Sequence, residues 1–172
     1  MELSFEQLSE TGASEFINLD GIEYFQFEEE FMENNMRCIP MIIRCKMDMA
    51  GIKLKLSEWK KFSTEERIEL ALMSCGFNEA SEQYARYLAG LIKKHTGRNP
   101  TTMEVNRTPT WKDLHSIPGT LIEKLKEFDW GLSIVQWTYL TDLQRFALLK
   151  LCRPGHENQN FPKAMKEFDL VS

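Results

Sequence analysis

No apolar run in this 172-residue chain approaches the ~20 residues needed to cross a bilayer, so no membrane-spanning helix is expected. The opening residues, MELSFEQLSETGASEF, lack a basic stretch followed by an apolar core. The expectation is therefore a cytoplasmic protein without a secretory leader. Cysteine is sparse, and Cys38, Cys45, Cys75 and Cys152 form no CxxC pair. In a reducing compartment they are expected to be free and to pack as small hydrophobes. Cys152 and His156 supply too few ligands for a metal ion, and Pro154 and Gly155 interrupt the helix between them. Neither a metal nor a cofactor is expected. Basic residues are outnumbered, 21 Lys and Arg against 26 Asp and Glu for a net charge of −5, which argues against phosphate-driven nucleic-acid binding. A GxSxG elbow, a glycine-rich phosphate loop and suitably spaced paired carboxylates are all missing, and no catalytic residue is assigned.

What is present is the composition of a folded chain, 42% hydrophobic and 11% aromatic. That suits one compact domain or two small halves sharing a core. Residues 1–36 read as a partly irregular arm. Within it FQFEEEF is a short strand-like piece or a single helical turn, and the acidic residues of 23–33 are expected to be solvated. From Pro40 a helix follows, with Ile42, Cys45 and Met49 at helical spacing and Gly51 as its stop. IKLKL (52–56) alternates, and Ser57 opens a turn carrying Trp59. STEE begins a capping box at Ser63, and Ile68, Leu72 and Cys75 form the expected inward face of its helix. Asn78 caps the next helix, which turns Tyr84, Leu88, Leu91 and Ile92 inward and ends at Gly97. Residues 97–117 are a proline-containing connector with room for one short helix. Beyond Pro118 come TLIEKLKEF, SIVQWTYL, a helix capped by Thr141, and a last one at PKAMKEF.

A shift of 78 residues superposes Pro40 on Pro118, Lys46 on Lys124, Leu54 on Leu132, Trp59 on Trp137, Arg67 on Arg145 and Leu70 on Leu148 without a gap. Six identities in 36 positions, together with the matched cap residues Ser63 and Thr141, suggest a duplication. Trp59 and Trp137 are expected as core anchors, and Arg67 and Arg145 as ties to carboxylates or helix ends. The expected fold is all-α, a compact helical domain of about seven or eight helices. The first helical half is 37–96, and the second, 118–172, is packed with it as one domain.

The most polar junction is RPGHENQNF (153–161). Pro154 and Gly155 end one helix, and Asn158 or Asn160 caps the next. Arg153, His156 and Glu157 are not accounted for in that way, since a histidine beside a carboxylate can also serve as a base or binding group. Arg37 and Arg44 flank the start of the helix after Pro40. The candidate binding residues are thus Arg37, Arg44, Arg145, Arg153, His156, Glu157 and Asn158.

RCIPMIIRCKMDMAGIKLKLSEW (37–59), with its FQFEEEF lead-in, resembles the opening block of the nitrate reductase-associated protein family. QRFALLKLCRPGHENQNFPKAMKEF (144–168) is similar to its closing block. The resemblance implies a context of nitrate assimilation and brings no catalytic residue with it. The expected function is that of a non-enzymatic accessory protein binding nitrate reductase or a maturation factor. The alternative is a small-molecule or anion site, or an enzyme, in a groove between the halves lined by Arg37, Arg44, Arg145 and His156. Residues 63–95 could also be a helix-turn-helix, but the second helix opens with glutamates, which suit DNA phosphates poorly.

Overall fold

Proline fixes two of the turning points. Pro40 and Pro118 sit in extended backbone, with ψ of 149° and 139°, and helices start directly after each. Their locked φ suits a helix entry, and they lack an N–H that would otherwise need a partner. Side-chain caps fix three more. Ser63, Ser133 and Thr141 each accept the N–H of the third helical residue, Glu66, Gln136 and Gln144 respectively. Each of those residues returns a side-chain oxygen to the cap's own N–H, so two backbone donors are satisfied reciprocally.

The computed structural model describes residues 14–32, 38–154 and 159–172. Among them run nine α-helices: α1 (Gln26–Met32), α2 (Met41–Ala50), α3 (Leu56–Trp59), α4 (Thr64–Leu72), α5 (Glu79–Thr96), α6 (Gly119–Lys126), α7 (Ile134–Tyr139), α8 (Asp142–Leu151) and α9 (Asn160–Glu167). A two-stranded antiparallel ladder, β1 (Ile52–Lys53) with β2 (Thr101–Thr102), is the only sheet among the described residues. A 3-10 turn covers Thr110–Lys112. The fold is mostly helical, as the sequence pattern implies.

The chain forms two compact units, Met1–Arg107 and Thr108–Ser172, so the boundary falls inside the proline-containing connector. In the first unit Trp59, Leu70, Tyr84, Leu88 and Ile92 are sealed from solvent, and Phe16 stacks 6.2 Å from Trp59. In the second, Trp137, Leu121, Leu148 and Phe161 fill the corresponding role. Helix starts at 41, 56 and 64 in the first unit recur at 119, 134 and 142 in the second, each 78 residues on.

Three local expectations are corrected. FQFEEEF is helical, the second of its two readings, and one of its glutamates, Glu28, is buried instead of solvated. Glu28 is 4% exposed and accepts the N–H groups of Met41 (2.6 Å) and Phe25 (3.2 Å). Its carboxylate thereby meets the positive end of α2. The inward face of α4 carries Arg67, Leu70 and Ala71, whereas Leu72 is 50% exposed and Cys75 lies beyond the helix end. The arginine's stem and planar head fill the space against Trp59 that an aliphatic residue was expected to take. Finally, Asn160 lies buried inside α9, with Gln159 at the cap position, so Asn160 is not a cap.

Candidate functional site

Of the seven candidate binding residues, Arg37, His156, Glu157 and Asn158 lie outside the described residues. Arg44 is half-buried on α2, with Nη1 3.9 Å from the Met41 sulfur. Arg153 is exposed just beyond α8. Arg145 is 4% exposed and its donors are engaged within its own unit. Nε donates to the carbonyl of Trp111 (2.7 Å), Nη1 to those of Trp137 (3.3 Å) and Leu140, and Nη2 to the Asp142 carboxylate. The guanidinium also lies 5.8 Å from the Trp137 ring.

The same device stands in the first unit. Arg67 donates from Nε to Glu15 (2.5 Å), from Nη1 to the Phe62 carbonyl (2.7 Å) and from Nη2 to the Thr64 hydroxyl (3.3 Å). Its guanidinium lies 5.8 Å from Trp59. Phe62 and Leu140 each precede an N-cap, where the chain turns sharply from a short helix into a longer one. A carbonyl at such a corner has no helical partner, and the arginine fork supplies one.

The side of α7 away from this brace is different in kind. Trp137 points inward, and its Nε1 donates to the Asp113 carbonyl (2.8 Å). Ile134, Val135 and Tyr139 are exposed by 42%, 60% and 86%. Val135 and Tyr139 are one turn apart and share a side. The Thr138 hydroxyl meets the carbonyls of Ile134 (2.8 Å) and Leu114 (3.4 Å), which brings Leu114, 40% exposed, alongside. Scattered exposed apolar residues are ordinary, but several gathered on one six-residue helix suggest a contact surface.

The first unit provides a control for what folding requires. Seventy-eight residues before Val135 and Tyr139 stand Ser57 and Lys61, both exposed, beside an equally buried tryptophan and the same arginine brace. That corner forms with a serine and a lysine on its outer face. Its packing therefore does not call for valine and tyrosine, and a sequence reading that placed SIVQWTYL only by its order along the chain missed the difference. The pairing of Ser57 with Val135 and Lys61 with Tyr139 in the shifted register was the available signal.

The remaining polar clusters serve the scaffold. Glu66 accepts the N–H of its cap Ser63 and the Nε2 of His95 (2.9 Å), fastening the last turn of α5 to the first of α4. Burial pushes the Glu66 carboxyl up, but the His95 and Ser63 hydrogen bonds outweigh it and hold it below the usual value. Lys46 donates to the carbonyls of Ala71 and Met73, both at 2.6 Å, covering the end of α4, and its burial lowers its pKa. Burial raises the thiols of Cys75 and Cys152 to about 11, so both are protonated at neutral pH rather than poised as nucleophiles. Among the described residues none of Cys38, Cys45, Cys75 and Cys152 forms a disulfide. Among the described residues no group of three or more His, Cys, Asp or Glu could hold a metal ion, and no helix is long and apolar enough to cross a membrane.

A family model described as conserved nitrate reductase-associated protein matches residues 24–168. No curated protein and no solved structure matches the chain.

Proposed function

The chain belongs to the conserved nitrate reductase-associated protein family, and from that premise we propose that it is a non-enzymatic cytoplasmic accessory that docks on nitrate reductase or on a factor that matures it. The observation that carries this reading is the apolar outer face of α7. Tyr139 at 86% exposure and Val135 at 60% occupy positions that the matching corner of the first unit fills with Lys61 and Ser57. Tyrosine is favoured where an interface needs a large, rigid side chain with one polar end. Arg153, exposed in the same unit, is the described member of the polar junction that the sequence singles out, and it belongs to the same proposal. The proposal includes an origin for the two units as copies of one ancestral segment, one copy keeping a polar outer face and the other acquiring an apolar one. The recurrence of helix starts, caps and arginine braces at an interval of 78 residues supports it.

The test is a tagged pull-down from the native host grown on nitrate and on ammonium, read by mass spectrometry. Nitrate reductase or a factor acting on it should be enriched on nitrate. Recovery of the same background under both conditions would remove the reading.

A further inference from the structure

The first unit carries a concavity unrelated to the α7 face. It lies where the C-terminal end of α2, the beginning of α5 and the chain after β2 converge, and encloses about 360 Å³, within the range of small-molecule sites. The β1–β2 ladder builds it. Ile52 pairs with Thr102 and Lys53 with Thr101, and the Met103 N–H donates to the Gly51 carbonyl at 2.9 Å. This lays the segment to Val105 along the end of α2. Gly51 has φ +73°, and a Cβ there would come within 2.9 Å of the Val105 side chain. Glycine thus both ends α2 and lets Val105 close one wall.

The walls divide by chemistry. Met49, Phe77, Ala85 and Val105 are apolar, while Arg86 and Arg107 line the same cavity with cationic side chains. Both arginines are exposed, and among the described residues neither makes a hydrogen bond or ion pair. Glu82 also lines the cavity, one turn before Arg86, yet no ion pair joins them. The local balance of two guanidinium groups and one carboxylate is positive in a chain of net charge −5. The buried arginines Arg67 and Arg145 are engaged in bracing corners, whereas the exposed Arg86 and Arg107 are left open beside apolar side chains.

We propose that this cavity binds a small organic anion, a carboxylate or phosphate ester carried on an apolar body the size of a single ring. Arg86 and Arg107 take the anionic oxygens, a task suited to the guanidinium fork. Met49, Phe77 and Val105 cover the apolar part, and Glu82 opposes species with excess negative charge. The site does not depend on the α7 face.

The experiment titrates the full chain with phenylacetate and phenyl phosphate, with inorganic phosphate and benzyl alcohol as probes carrying one feature each. Binding is read by calorimetry and by thermal shift. The expected result is that at least one organic anion binds and raises the melting temperature. Both single-feature probes should bind at least about tenfold more weakly, and Arg86→Gln/Arg107→Gln should lose about tenfold or more in affinity, the scale of a charge-assisted hydrogen bond. Both side chains are exposed, so that variant should keep the wild-type melting temperature without ligand. Absence of binding by both organic anions at millimolar concentration overturns the proposal. So does equal binding in the double variant, or inorganic phosphate binding as tightly as phenyl phosphate.

Discussion

Replacing Arg145 by methionine removes charge and fork while keeping an unbranched stem of similar reach. Three carbonyls, those of Trp111, Trp137 and Leu140, lose their guanidinium donor around a side chain that is 4% exposed, and of these the Trp137 carbonyl keeps the Leu140 N–H at 3.3 Å. Each buried acceptor left unpaired costs about 1–3 kcal/mol, with the lower end applying where water can enter. The arginine–tryptophan contact adds about 0.5–2 kcal/mol. Asp142, whose side chain is 56% exposed, contributes little because solvent takes the arginine's place. The sum is on the order of 3–5 kcal/mol, the scale found when one member of a buried charged network is removed. That is a large part of a typical stability of about 5–15 kcal/mol. Urea titration followed by circular dichroism and tryptophan fluorescence measures it. Arg145→Lys should recover only a minor part, because an ammonium cannot span three carbonyls and a carboxylate in one plane. A loss below about 1 kcal/mol for Arg145→Met, or full rescue by lysine, would refute the reasoning. It would also return Arg145 to the pool of groups available to an anion.

The two buried tryptophans should respond unequally to phenylalanine. Trp137→Phe deprives the Asp113 carbonyl of its donor, whereas Trp59 Nε1 has no partner among the described residues, so Trp59→Phe relieves an orphan donor as it loses area. Thermal melts should show Trp137→Phe as the costlier by about 1 kcal/mol, and the reverse order would contradict the hydrogen-bond account. The Glu66–His95 contact predicts a pH dependence. A carboxyl held below its usual value stabilises the fold above the unfolded pKa, near 4.5, and that stability is lost as pH falls through the lower folded value. Glu66→Gln should therefore be less stable than wild type at neutral pH, with the gap closing as the solution is acidified below 4.5. A gap that stays constant across that range would exclude the ionic contribution.

Much of the helical framework is legible in the sequence because its signals are local. Pro40, Ser63, Asn78, Gly97 and Thr141 act within one turn of themselves, and each stands where its chemistry places it. The inward side of α5 follows from spacing alone. Failures occur where the outcome depends on distant partners. Ile68 and Leu72 have the right period for a core face, but the long side chain of Arg67 competes for the same direction and wins it through Phe62, Glu15 and the Trp59 ring. Glu28 of α1 reads as solvated because nothing nearby in sequence announces that Met41, 13 residues on, needs an acceptor for its N–H. The ladder between IKLKL and the connector joins segments about fifty residues apart and contains two residues per strand, too short to leave a pattern. The α7 face is a different case. Its apolar residues are visible in the sequence, but periodicity cannot separate those that face the core from those that face outward until Trp137 is known to point inward.

The most direct test of the docking claim is binding of the purified chain to purified nitrate reductase, wild type against Val135→Ser/Tyr139→Lys, the residues found at the matching corner of the first unit. Because that corner folds with serine and lysine, the variant should melt within about 1 kcal/mol of wild type. The account predicts measurable binding by the wild type and a loss of about tenfold or more in the variant, as expected when an exposed aromatic anchor is removed. Undiminished binding by a folded variant, or no binding by the wild type to either the reductase or a factor recovered with it, would contradict it.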